Sequence, residues 1–267
     1  MDNDDGPDEL AFLRSEVKRL RDEVSRLTPS LPLLLKRRGF TVHAKEPSKD
    51  LLVPAPQFLD SYYTHLHKYS FRLLLRDIIK HQVRFTVDQL TRYASARAVR
   101  SSVDYLQEVR LVREGAAGYV VVKRPITSFG TTLEWYVAEL LGREFGAETM
   151  WGVKFRKRGT GGDYDVLAKL EGALVYVEVK SSPPKQVADS EIAAFLDRVE
   201  DLAPDLALFL MDTELRMKDK IVPMFEKALA ARGALSEVSR LERELFLAGD
   251  RAYIINSKED LRQNIAL

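Results

Sequence analysis

The chain has 267 residues, 45% hydrophobic and 30% charged, with a net charge of only +1, so no global basic signature marks it as a nucleic-acid binder. That length holds two small domains plus an extension, and the apolar fraction is ample for globular cores. The absence of cysteine excludes disulfides and thiolate-bound zinc, and no apolar run approaches the ~20 residues of a membrane helix. With an acidic start, Met1-Asp2-Asn3-Asp4-Asp5, unlike a signal peptide, these features predict a cytoplasmic protein, nucleoid-associated if the source is prokaryotic.

Residues 1–28 come first. Leu10, Leu13, Val17, Leu20, Val24 and Leu27 follow a 3-4-3-4-3 spacing, a heptad seam with Leu or Val at a and Leu at d. Glu16 falls at g and Arg21 at the next e, and Glu9 with Arg14 repeats the pair, as a parallel coiled-coil homodimer requires. The seam spans under three heptads, so alone it is marginal in water. Residues 29–61 form a connector in which a short helix and a hairpin are expected, with five prolines between 29 and 58.

Residues 62–125 hide a charge segregation: from Tyr62 to Arg124 there are twelve Lys/Arg against five Asp/Glu. Phe71–Lys80 is predicted as a helix, Thr86 as the N-cap of a second, and Ser95–Arg100 as the start of a third running to about Glu108. Two strand-like runs, Leu111–Arg113 and Tyr119–Lys123, flank the glycine-bearing loop 114–118. This order reads as a winged helix-turn-helix, in which Arg97 and Arg100 would lie where the third helix meets DNA. Arg72, Arg76, Lys80 and Arg84 recur every four residues, the mark of a solvated helix face.

Residues 126–267 alternate helices and strands, which argues an α/β core. The spacing of Leu133, Val137, Leu140, Leu141 and Phe145 predicts a helix over 130–145, with Glu134 on the same arc. Tyr164–Ala168 and Ala173–Val177 read as two strands joined at Glu171-Gly172, a hairpin that would set Asp165 beside Glu178. Since strand side chains alternate faces, Glu178 and Lys180 share one side. An acid and an amine at the tip of a buried strand must pair, bind a metal or do chemistry. Helices are expected at 187–201 and 217–231, a buried strand at 205–211, and a last strand at 252–255 before a short terminal helix. None of the four histidines lies in this half, which argues against histidine-ligated metal.

The run Gly162-Asp163-Tyr164-Asp165-Val166-Leu167-Ala168, followed by Val175-Tyr176-Val177-Glu178-Val179-Lys180, resembles the PD-(D/E)XK phosphodiesterases, and within them the Holliday-junction-resolvase-like branch. Tyr164 stands where that family's name-giving proline would be. The resemblance covers roughly 126–256. It implies a restriction-endonuclease-like fold, a central mixed sheet flanked by helices. It also implies Mg²⁺ or Mn²⁺ held by Asp165, Glu178 and the main-chain carbonyl of Val179, with Glu134 at a second ion or its water. Lys180 would orient or deprotonate the attacking water, for which its pKa would have to fall. Asp163 competes with Asp165 for the metal role, Gln186 is a possible accessory, and Arg156, Lys157 and Arg158 would touch nucleic acid. The expectation is a metal-dependent nuclease, acting on DNA; the alternative is a DNA-binding regulator or scaffold that keeps the fold and does not cut.

Overall fold

The computed structural model describes residues 6–91, 94–123, 125–156, 162–233 and 238–267. Lys157 and Arg158, assigned above to nucleic acid, lie outside these. The chain opens with α1 (Gly6–Leu27), α2 (Leu31–Arg37) and a short strand β1 (Val42–Ala44). α3 (Leu59–Leu66), α4 (Tyr69–Lys80) and α5 (Ala96–Glu108) follow, then strands β2 (Val112–Gly115) and β3 (Gly118–Val121). The rest is α6 (Gly130–Phe145), β4 (Glu148–Phe155), β5 (Tyr164–Leu170), β6 (Ala173–Lys180), α7 (Asp189–Leu202), β7 (Leu206–Met211), α8 (Ile221–Ala231), β8 (Val238–Glu242), β9 (Leu245–Ala248), β10 (Ala252–Asn256) and α9 (Leu261–Ala266).

Eight strands form one sheet in the order β1-β4-β5-β6-β7-β10-β9-β8. Neighbours run antiparallel from β1 to β6, parallel through β6, β7 and β10, and antiparallel again through β9 and β8. The result is a mixed α/β sheet with helices on both faces. β7 is apolar along its length because both faces are covered. The faces alternate as the pleat demands: Val175, Val177 and Val179 join the cluster under α6, whereas Leu174 and Tyr176 face Phe195 of α7.

Four expectations are revised. The connector makes no hairpin: β1 pairs with β4 through Val42 and Phe155, extending the sheet edge. The helix expected from Thr86 is a single 3₁₀ turn, Asp88–Leu90; the Gln89 side chain takes the Thr86 N–H, and buried Leu90 pins the turn to the core. The β2–β3 loop is tighter than expected, with Gly115 paired to Gly118 across only two residues. Gly118 sits at φ +119°, where an added Cβ would lie 2.4 Å from the Phe85 carbonyl oxygen, so the hairpin can press this closely only through glycine.

The fourth concerns the arginine repeat on α4. Arg72 is fully buried and ion-paired, its guanidinium 2.8 Å from Asp212, and Arg76 bonds the same carboxylate. Ser257 adds a third donor to Asp212 at 2.6 Å. Arg72 and Arg76 thus form the seam between α4 and the end of β7, while Lys80 and Arg84 stay exposed as expected. One apolar cluster runs across that seam, from Leu75 and Ile78 to Leu133, Val137 and Val177. Among the described residues, no helix is long and apolar enough to cross a membrane.

Candidate active site at the end of the sheet

The β5–β6 hairpin turns at Glu171 and Gly172, both with positive φ (50° and 92°), the combination a two-residue turn matched to strand twist requires. Its register pairs Val166 with Val177, which sets Asp165 beside the Glu178 end of β6. The Asp165 carboxylate accepts the Val179 N–H at 2.7 Å. Parallel pairing then carries Lys180 alongside Met211, and the Asp212 N–H donates to the Lys180 carbonyl at 2.9 Å.

Glu178 is almost fully buried and has partners on both oxygens. One lies 3.0 Å from the Lys180 ammonium; the other accepts from Arg198 at 2.9 Å and from the Tyr176 hydroxyl. Lys180 meets a second carboxylate, Glu191, at 2.7 Å. Arg198, Glu178, Lys180 and Glu191 therefore form a chain of alternating charge, two links from β6 and two from α7. Glu191 and Arg198 lie seven residues apart, two helical turns, so both face the strand. Gly162 closes over this chain: at φ +108°, an added Cβ would lie 2.8 Å from the Arg198 guanidinium.

Glu134 approaches from α6, half-buried. Gly152 of β4, at φ +55°, packs beneath Pro47: an added Cβ would lie 2.5 Å from the Pro47 ring and 3.6 Å from the Glu134 carboxylate. Burial first, then the charges of Glu178 and Asp163, push the Glu134 carboxyl up to about 7. Burial, then Glu178 and Glu134, raises Asp165 well above the usual carboxylate range. The charge of Glu178 and their own mutual repulsion thus disfavour ionisation of Glu134 and Asp165. Lys180 departs from expectation. Burial draws its pKa down, but Glu178 and Glu191 outweigh that and hold it above the ordinary lysine range. As it stands it is a firmly protonated ammonium.

The donors are all oxygen, which suits a hard divalent cation. Among the described residues, no three acids, histidines or cysteines are gathered closely enough to hold a metal ion as they stand. Asp163 is exposed and paired with Lys154 at 2.9 Å, while Asp165 turns inward. Gln186 is exposed in the 3₁₀ turn Pro184–Gln186. Arg156 is exposed beside β1, and Arg97 and Arg100 are exposed on α5, well away in sequence from the acids. Tyr176, Glu191 and Arg198 were not singled out in the sequence. Tyr176 stands two residues before Glu178, hence on its face, and the seven-residue spacing of Glu191 and Arg198 was the other available signal.

A groove of about 1270 Å³, lined by Ser181 but not by Lys180, opens between the start of α4, the loop after β6 and the loop after β7.

No family model and no curated protein matches this chain. Among solved structures it is similar to protein VC1899 from Vibrio cholerae, with a TM-score of 0.49 and 15% identity, over 89% of this chain and 60% of that one. It is also similar to Can2 from Sulfobacillus thermosulfidooxidans, solved in complex with cyclic tetra-adenylate, with a TM-score of 0.49 and 13% identity, again over 89% and 60%. The chain thus spans about 60% of the length of each. At that level the likeness is too slight to bear on function.

Proposed function

We propose that this chain is a metal-dependent nuclease of the PD-(D/E)XK type, hydrolysing phosphodiester bonds in DNA. The observation that carries the reading is the meeting of Asp165 with the strand that bears Glu178 and Lys180, with Glu134 coupled to them electrostatically. Electrostatic crowding supports a cation here: Glu134 and Asp165 are disfavoured as anions, and a divalent ion relieves that penalty.

Asp165 and Glu178, with the Val179 carbonyl, would hold Mg²⁺ or Mn²⁺, and Glu134 a second ion or its water. The ion supplies Lewis-acid polarisation of the phosphate and a more acidic bound water. The chain's own part is positional. Lys180, protonated and tethered between Glu178 and Glu191, offsets charge on the phosphate oxygens rather than acting as a base. Arg198 and Tyr176 fix the Glu178 carboxylate from behind. α4, α5 and the β2–β3 hairpin are read as a winged helix that presents Arg97 and Arg100 to DNA, and α1 as the homodimer contact.

A specific observation favours the second reading, a DNA-binding protein that does not cut: both Glu178 oxygens already have protein partners. Cleavage of linear, nicked, single-stranded, flapped and four-way DNAs, with Mg²⁺, Mn²⁺ or EDTA, decides between them. Metal-dependent cutting abolished by Asp165→Ala and by Lys180→Ala is expected. Binding without cutting under every metal condition hands the case to the second reading.

A further inference from the structure

The groove lined by Ser181 has two features that the catalytic residues do not use: unpaired cations and exposed apolar side chains. Its walls come from Lys68 and Tyr69 at the start of α4, Ser181 and Lys185 just after β6, and Leu215 just after β7. Ser181 follows Lys180 directly in the chain, and none of Asp165, Glu178, Lys180 and Glu134 itself lines the groove. Lys68 and Lys185 are exposed on different walls and have no carboxylate partner among the described residues. Leu215 is 58% exposed. Tyr69 is half-exposed beside it in the lining.

Acids line the groove as well, but most are spent. Asp77 is paired with Lys80, Asp260 with Arg262, and Glu259 with Arg243. Glu214 is the remaining anion. The groove therefore offers two free cations, one free acid and a set of apolar and aromatic surfaces. A duplex shows a protein mainly phosphate and sugar, and would want a continuous basic wall. A single strand exposes base faces as well as phosphates, and is bound by cations interleaved with stacking surfaces. The lining matches the second pattern.

We propose that this groove holds a single nucleic-acid strand, DNA or RNA. Lys68 and Lys185 contact its phosphates, and Tyr69 and Leu215 take its bases. The proposal rests on the nuclease reading for its substrate class. Two phosphate contacts give a shallow salt dependence, a slope of about −1.4 in log affinity against log salt for a single strand.

The test is fluorescence anisotropy of the full-length chain in EDTA, where nothing is cut, with a labelled 12-nucleotide DNA, the same sequence in RNA, and the DNA duplex. For Lys68→Ala/Lys185→Ala, both positions exposed and foldable, single-strand affinity should fall roughly tenfold at low salt, and the slope should flatten by about 1.4. Leu215→Ser, also exposed, should weaken single-strand binding severalfold at unchanged slope. Duplex affinity should hold in both. Unchanged single-strand affinity in the double variant overturns the proposal, and so does an equal loss on duplex. A chain that binds single strands through these lysines but cuts nothing with metal removes the nuclease reading alone. One that cuts while the double variant binds like wild type removes the groove alone.

Discussion

Glu134 is the residue whose charge state is most open to measurement. Its carboxyl titrates near 7 in the folded chain against an ordinary 4.5, and so the folded state binds a proton that the unfolded state has lost. Stability from this group is complete below about pH 4.5 and is lost as pH rises through about 7; Asp165, raised for the same reasons, adds to the slope. The expected loss for Glu134 is on the order of 2 kcal/mol. Urea titrations of the metal-free protein at pH 5.5 and 8 should show it, and Glu134→Gln should remove most of the difference. Mn²⁺ should raise the melting temperature more at pH 8 than at pH 6, since at high pH it meets ionised carboxylates. A pH-independent stability shared by wild type and variant would sink this account. Asp212 works in the opposite sense: Arg72 and Arg76 outweigh its burial and hold it below the carboxylate range, so its contribution is lost only in acid. The motif residues were legible in the sequence because strand period two fixes which side chains share a face. The state of Lys180 was not, because Glu191 arrives from α7 and no local pattern encodes that meeting.

At the scale of elements, the hairpins and the α4 seam carry separable tests. Gly118 and Gly172 both have positive φ, but an added methyl at Gly172 meets nothing within 4 Å. Gly172→Ala should therefore cost about 1 kcal/mol, the backbone penalty alone, whereas Gly118→Ala must also displace the Phe85 carbonyl and should cost at least twice that. Equal losses in chemical denaturation would refute the steric argument. Arg72→Ala leaves Asp212 buried against only Arg76 and Ser257, and a drop of about 3–5 kcal/mol is expected. Arg72→Lys should recover only part, because a single ammonium cannot reproduce a guanidinium that reaches Asp212 and the Leu66 carbonyl together. Helix and strand order was readable here from periodicity, and α6 matches its expected bounds at both ends. The role of the arginine repeat was not. A four-residue spacing shows that side chains share a face, and only the acid delivered by the end of β7, more than a hundred residues on, shows that Arg72 and Arg76 are interior while Lys80 and Arg84 are not. β8 and β9 escaped because both are short: β8 is exposed at four of its five positions, and β9 is apolar at all four, so neither shows an apolar alternation to read.

The whole molecule raises the question of what covers α1. Leu13, Val17, Leu20 and Val24 are each close to half exposed and Leu27 more so, although they make up the heptad seam. The body meets this seam incompletely. Val17, Leu20 and Val24 border a cleft of about 420 Å³ whose far side includes Phe145 and Leu170. A helix of 22 residues is about 33 Å long, and with under three heptads it gains little stability alone. A second α1 laid along the seam would remove these side chains from water. Light scattering should then report twice the 30.4 kDa chain mass at tens of micromolar, and Leu20→Glu should return the single-chain mass without unfolding the sheet. The consequence for activity follows from geometry. On the proposed nuclease reading each site would hydrolyse one phosphodiester, so a dimer could break both strands in one encounter, and the Leu20→Glu monomer should nick supercoiled plasmid and linearise it only slowly. A wild-type mass of 30.4 kDa across that concentration range would instead assign the seam to the chain's own cleft. In that event Leu170→Ser should loosen α1, seen as earlier proteolysis within residues 6–27.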